Sequence, residues 1–349
     1  MSAVKPLNEA VATQTKPTLK KVNVSEIFPE IYPEKGPEIK VFNERSERCV
    51  GSNKNYVPDE TLVRLWLAWQ QAANQPLCFG LNGHTGTGKT EFLYWVADRM
   101  NIPVYLLQCT PSLSPEDIEG VMTLKNGETS FQLGVVLQGY ETGGLVILDE
   151  IDKLNDDATA YLHGILEGKP ASVSQTGEMI EKHPLCWIAA TGNTKGEGGS
   201  SLYTSSQQLD VAFRSRIGWI DCHYPDSATE LNILLKSFGE KIPKAMLRDA
   251  VKLANELRDI AFGTERKGKD NPAGVICSTR TLVNWIYYTI IYGQNIEWRF
   301  SLNYALSGSV DPESSGKVSE AIQRRLGDKP DMKVGKLLEF YSKTSSQNN

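Results

Sequence analysis

Gly83-His84-Thr85-Gly86-Thr87-Gly88-Lys89-Thr90 fits the spacing G-x-x-x-x-G-K-[ST]. The residues on either side decide how it is read. Upstream, Leu77–Leu81 is a short apolar run with the length and composition of a buried strand. Downstream, Glu91–Met100 places Phe92, Trp95, Val96 and Met100 on one helical face. A strand, a glycine-rich turn and a helix in that order form a phosphate-binding loop. The glycines let backbone N–H groups converge on phosphate oxygens, and the helix N-terminus adds partial positive charge. In this arrangement Gly83, His84, Thr85, Gly86, Thr87 and Gly88 wrap the phosphates, Lys89 reaches the terminal ones, and the Thr90 hydroxyl meets Mg²⁺. The ligand this implies is a nucleoside triphosphate, expected to be ATP.

About 60 residues further on, Leu145-Val146-Ile147-Leu148-Asp149-Glu150 is an apolar strand ending in two carboxylates. Alone, such a pair is an ordinary solvated strand end. Behind a phosphate loop, Asp149 is placed to hold the Mg²⁺ shell and Glu150 to orient or deprotonate an attacking water. Thr191-Gly192-Asn193 closes a third apolar run, Cys186–Ala190, which puts Asn193 beside the terminal phosphate unless it serves only as a turn former. Arg214 and Arg216 end a short helix before another strand, Ile217–Cys222, where a basic residue can also simply complement the helix dipole.

Strands at Leu77–Leu81, Val104–Leu107, Leu145–Leu148, Cys186–Ala190 and Ile217–Cys222 alternate with helical segments, the first of them starting at Pro58-Asp59. This pattern predicts an α/β fold with a mostly parallel sheet covered on both faces. After Tyr224-Pro225 the strands stop. Ser227–Phe238, Lys244–Phe262 and Thr279–Tyr292 read as helices, with Gly239, Gly263 and Gly293 where C-terminal caps belong and a polar loop at Gly263–Gly274. Residues 1–48 are polar and weakly periodic, and are expected to be a partly flexible extension unless a partner orders them. The tail after Ser301 shows a helical pattern only around Val318–Leu326, and its last residues, SKTSSQNN, are expected to be disordered.

The chain has 349 residues, 40% hydrophobic and 23% charged, and a net charge of −5. No basic run exceeds Lys20-Lys21, so the electrostatic footprint of a nucleic-acid binder is lacking. The six cysteines and four histidines show no metal-ligand spacing, and the cysteines read as small core residues in a reducing compartment. No apolar run approaches membrane-spanning length, and the first residues lack a signal-peptide core. A cytoplasmic protein without a membrane partner is expected.

In this order, the motifs resemble AAA+ ATPases. Finer segments are similar to the MoxR type, and in particular to the ATPase subunit of cobaltochelatase. These are Cys109–Gly120, leading into a hairpin over Val121–Phe131 whose centre, Asn126-Gly127, suits a type I′ turn; Leu166–Pro184; Gly199–Thr204; Gln207-Gln208-Leu209; Phe213–Arg216; and Ser278-Thr279-Arg280-Thr281-Leu282. The resemblance covers about residues 50–325. It implies an AAA+ P-loop core over residues 49–224 with helix-2 and pre-sensor-1 hairpin inserts, a small helical lid over 225–300, and a C-terminal helical segment with a tail over 301–349. It also implies Mg²⁺-dependent ATP hydrolysis, a sensor-2 arginine at Arg280, and an arginine finger at Arg216. Ser215 replaces the family's usual Asp there, which keeps Arg214 in contention.

The resemblance further implies a homo-oligomer, a hexameric ring, in which Arg216 of one subunit completes the neighbour's site. Its work would be to remodel a partner protein, one carrying a von Willebrand factor A (VWA) domain. Two other functions fit the same ATP site: a nucleic-acid motor, and a scaffold that assembles on ATP with slow turnover.

Overall fold

The computed structural model describes residues 17–72, 77–125, 127–199, 203–262 and 275–346. The elements run β1 (Leu19–Asn23), α1 (Val24–Ile27), β2 (Glu38–Phe42), α2 (Glu60–Gln70), β3 (Cys78–Asn82), α3 (Lys89–Arg99), β4 (Val104–Gln108) and α4 (Pro115–Glu119). They continue through β5 (Gly120–Lys125), β6 (Glu128–Leu133), α5 (Val135–Thr142), β7 (Gly144–Asp149), α6 (Asp156–Leu166), β8 (Ala171–Ser172), β9 (Met179–Ile180), β10 (Cys186–Gly192), α7 (Val211–Arg214) and β11 (Ile217–Asp221). Among the described residues that follow, the elements are helices: α8 (Ser227–Phe238), α9 (Lys244–Phe262), α10 (Thr279–Ile291), α11 (Trp298–Leu306), α12 (Ser315–Leu326) and α13 (Val334–Ser346). The chain divides into two compact units, residues 1–83 with 88–222, and residues 84–87 with 223–349.

In the first unit, β11, β3, β10, β7 and β4 form a five-stranded sheet in that order, parallel at every pairing. The strands are near-continuous apolar runs because helices cover both faces. In β7, Leu145, Val146, Ile147 and Leu148 are fully buried, and each such side chain contributes about 1.5–3 kcal/mol on transfer from water. One face packs on α2 and α3 through Trp66, Phe92 and Trp95; the other packs on α5 and α6 through Leu137, Tyr140, Leu162 and Ile165. The predicted helix start holds: Asp59 caps α2 by accepting the Leu62 amide at 2.7 Å.

The stretch expected to be a flexible extension is folded from Leu19 onward. β1 and β2 pair antiparallel, and α1 between them has a capping box of Asn23 and Glu26. Val24, Phe28, Ile39 and Val41 are buried in the same cluster as Trp66 and Trp95, with the Phe28 ring 5.3 Å from Trp95. The apolar residues that drive this are few and widely spaced, so their partners are visible only in three dimensions. Residues 1–16 lie outside the described residues.

Two hairpins interrupt the core. β5 and β6 pair over six residues. Gly127 takes the left-handed conformation expected of the turn, at φ +81°, and Asn126 lies outside the described residues. The second hairpin is smaller than the Leu166–Pro184 segment suggested, because Leu166 still belongs to α6 and β8 and β9 have two residues each. The amide and hydroxyl of Ser174 donate to the buried Glu119 carboxylate at 2.9 and 2.5 Å, tying the turn of the second hairpin to the base of the first.

The second unit is helical, built around Leu247, Leu257, Leu282, Trp285 and Trp298. A buried ion pair fixes three of its helices: Arg258 on α9 grips both oxygens of Glu230 on α8 at 2.8 and 2.7 Å, and the Thr279 hydroxyl at the start of α10 donates to the same carboxylate. Gly293 follows α10 with φ +80°, whereas Gly239 closes α8 in right-handed geometry. Gly263 and the loop Gly263–Gly274 lie outside the described residues. The C-terminal part departs from expectation. The division drawn at residue 300 falls inside α11, and the segment expected to be disordered continues α13 as far as Ser346. Val318, Ile322 and Leu337 are buried in the same core as Trp285, so these helices complete it.

Candidate functional site

β3 delivers the chain into the glycine loop, and α3 begins at Lys89 immediately after it. Geometry requires glycine at several positions of this loop, Gly83 and Gly88 among them. A Cβ on Gly83 would lie 2.2 Å from the Cys222 carbonyl oxygen, and Gly88 sits at φ +91°, a conformation costly for any other residue. The apex of the loop, His84–Thr87, groups with the helical unit. There the His84 ring stacks on Phe262 at 3.9 Å, and the Tyr224 hydroxyl donates to the Thr85 carbonyl at 2.8 Å.

Within the first unit, five of the residues singled out in the sequence come together at the C-terminal ends of the parallel strands. Lys89 Nζ donates to the Gly83 carbonyl at 2.6 Å and to Asn193 Oδ1 at 3.1 Å. Burial lowers the Lys89 pKa, opposed by the nearby Cys222, Asp152, Asp149 and Glu150. A buried ammonium of this kind gains from an anionic ligand, which supplies the counter-charge it has lost with solvent. Thr90 Oγ1 donates to Asp149 Oδ1 at 2.7 Å. A hydroxyl and a carboxylate oxygen side by side are hard donors suited to Mg²⁺, an ion that keeps several waters and takes its remaining ligands from phosphate. Among the described residues no group of three or more His, Cys, Asp or Glu could hold a metal ion.

Glu150 follows β7 with φ +58° and ψ +46°, an uncommon conformation for a residue with a side chain. It turns the carboxylate away from the strand direction, where Gln108 Nε2 and Lys153 Nζ donate to Oε2 at 2.9 and 2.7 Å. Asn193 is held from behind, its amide donating to Asp152 Oδ2 at 3.1 Å. Asp152 is fully buried and its Oδ2 also accepts the Thr194 and Ser206 hydroxyls at 3.0 and 2.7 Å.

Gln108, Lys153, Asp152 and Thr191 were not predicted from sequence. Lys153 had a local signal in its three-residue spacing from Glu150. Gln108 had none, because its approach depends on β4 lying beside β7.

Two of the candidate arginines are engaged by carboxylates of their own chain. Arg216 donates to Glu167, which also pairs with Lys169, and to the Ala212 carbonyl. Arg214 lies 3.7 Å from Glu197. Arg280 stands exposed in the first turn of α10, whose N-cap is Ser278. Within the first unit, Arg216 therefore stands apart from the cluster around Lys89.

The family model of the AAA domain, dynein-related subfamily, matches residues 79–217. Protein NorQ of Paracoccus denitrificans is 30% identical over 231 residues, which cover 65% of this chain and 78% of NorQ. Denitrification regulatory protein NirQ of Pseudomonas aeruginosa is 25% identical over 246 residues, covering 69% of this chain and 87% of NirQ. Aerobic cobaltochelatase subunit CobS of a Sinorhizobium species is 25% identical over 258 residues, covering 71% of this chain and 74% of CobS. The match to NorQ extends beyond the nucleotide-binding core, and it joins the sheet order, the phosphate loop and the acid pair in one conclusion: this chain belongs to the MoxR-type AAA+ ATPases.

Proposed function

We propose that this ATPase works as a cytoplasmic ring, a hexamer, that couples Mg²⁺-dependent ATP hydrolysis to remodelling of a partner protein with a VWA domain. The observation that supports the reading is the gathering of Lys89, Thr90, Asp149, Glu150 and Asn193 at the strand ends, with Lys89 bonded to Asn193, Thr90 to Asp149, and both acids among the charges acting on Lys89. In it Lys89 neutralises the terminal phosphates, Asn193 orients Lys89 and the phosphate, and Glu150 takes a proton from the attacking water. Bound Mg²⁺, held by Thr90 and Asp149, would draw charge from the phosphate oxygens. Arg280 serves as the lid's sensor, and Arg216 acts on the neighbouring subunit's nucleotide.

The names of NirQ and CobS, a regulatory protein and a subunit of a larger enzyme, suit a motor whose work is done on something else. The two hairpins supply surfaces for that work, since Val121, Met122, Leu124 and Met179 keep apolar side chains exposed there. No helix among the described residues is long and apolar enough to cross a membrane.

The test is to trap ATP on the Glu150→Gln variant and isolate it from its own cell extract, with Lys89→Ala as the control that should fail to bind nucleotide. Six-membered rings in electron micrographs and recovery of a VWA-domain protein with Glu150→Gln alone are expected. A monomer at saturating ATP would overturn the ring, and recovery of the same proteins with Lys89→Ala would overturn nucleotide-dependent partnership.

A further inference from the structure

Thr191, the penultimate residue of β10 and two residues before Asn193, is almost completely buried. Its hydroxyl donates to Asp149 Oδ1 at 2.7 Å and accepts the Glu150 amide at 3.0 Å. One side-chain atom on the central strand therefore touches both residues of the acid pair on β7. Strand pairing alone does not supply this link: the parallel register of β10 on β7 ends with Ala190 opposite Leu148, one residue short of Asp149.

Two hydroxyls share Asp149 Oδ1, those of Thr90 and Thr191. Thr90 would also supply its oxygen to a bound metal ion, whereas the Thr191 hydroxyl serves the acid pair alone. It also satisfies the amide of Glu150 at the point where the backbone takes its left-handed turn, φ +58°. Beyond it, Asn193 accepts from Lys89 through its side chain and donates to Asp152 through its amide. Thr191 thus sits between the group that reads the phosphate and the acids that act on it.

We propose that Thr191 is a positioning residue for hydrolysis, coupling the Asn193 end of β10 to the Asp149–Glu150 pair through its hydroxyl. Valine has nearly the same shape and lacks that hydroxyl, so it removes a donor from Asp149 and an acceptor from Glu150 without opening a cavity. The inference rests on the reading of Asp149 and Glu150 as the hydrolytic pair.

The experiment compares Thr191→Val, Thr191→Ser and Glu150→Gln with the unaltered full chain, measuring kcat and KM for Mg·ATP and following each fold by thermal melting. In Thr191→Val, kcat is expected to fall at least tenfold while KM stays within about threefold. Thr191→Ser, which keeps the hydroxyl, should recover kcat to within about threefold of the unaltered protein. Turnover by Thr191→Val within threefold of the unaltered protein would overturn the proposal. So would Thr191→Ser as slow as Thr191→Val, since the loss would then follow shape. An active Thr191→Val beside an inert Glu150→Gln sinks this inference alone, whereas a fully active Glu150→Gln sinks the site reading beneath it.

Discussion

At the scale of single residues, Glu150 carries the most exposed commitment. Its carboxylate is presented by a left-handed backbone and held by Gln108 and Lys153, an arrangement that costs of order 1 kcal/mol or more and persists only where its surroundings impose it. Glutamine keeps the size and hydrogen-bonding reach but has no basic oxygen. Glu150→Gln should therefore bind ATP with little change and lose about 10²–10⁴-fold in turnover, the usual worth of a general base. Equilibrium binding of a fluorescent ATP analogue and single-turnover hydrolysis separate the two effects, and loss of binding together with turnover would argue for a structural role.

The principal cluster was legible at this scale because Lys89, Thr90, Asp149, Glu150 and Asn193 each end or begin an element whose periodicity is local. Thr191 and Gln108 were not, because their importance comes from strand neighbours 42 residues away in sequence. The roles given to Arg216 and Arg280 come only through family resemblance.

At the scale of elements, legibility followed the strength of local patterning. α8 has both the ends that its apolar spacing predicted, and α9 has the predicted start. The β1–α1–β2 segment, α11 and α13 did not reveal themselves, being elements whose stability comes from packing rather than propensity. One tie among the late helices can be tested directly. Burial by itself would raise the pKa of Glu256 on α9, but hydrogen bonds from Arg324 and Arg325 on α12 outweigh it and hold the carboxyl below its ordinary value of 4.5. A folded pKa below the unfolded one contributes stability that is present above the unfolded pKa and is lost as pH falls through the folded one. Glu256→Gln should cost about 1 kcal/mol at pH 7, held to that size by the solvent reaching both arginines. The gap in Tm between the two proteins should then close as the pH falls below 4.5. A gap unchanged between neutral and acid pH would show that charge is not what joins α9 to α12.

At the scale of the whole molecule, the decisive question is whether the site is complete in one chain. Arg216 is satisfied within its own subunit by Glu167 and the Ala212 carbonyl. Reaching a neighbour's nucleotide means exchanging a carboxylate for a phosphate, a trade of similar charge-assisted hydrogen bonds that assembly can drive. A trans arginine is worth about 10³–10⁵ in rate, so Arg216→Ala should bind ATP, assemble and hardly turn over. Lys89→Ala should be inert for the opposite reason, lacking nucleotide while still carrying the arginine.

In a ring built from equal amounts of the two variants, a site works when an Arg216→Ala subunit holds the nucleotide and the adjacent subunit is Lys89→Ala. In a head-to-tail ring with random mixing, both conditions hold at about one quarter of the interfaces. Mixed samples should therefore recover up to about a quarter of the unaltered activity from two inactive parents, with the maximum near equal proportions. Titrating one variant into the other at fixed total concentration measures this directly. If the mixture stays as inactive as its components while native mass spectra show mixed rings, Arg216 does not complete a shared site. Repeating the titration with Arg214→Ala then decides whether its neighbour does.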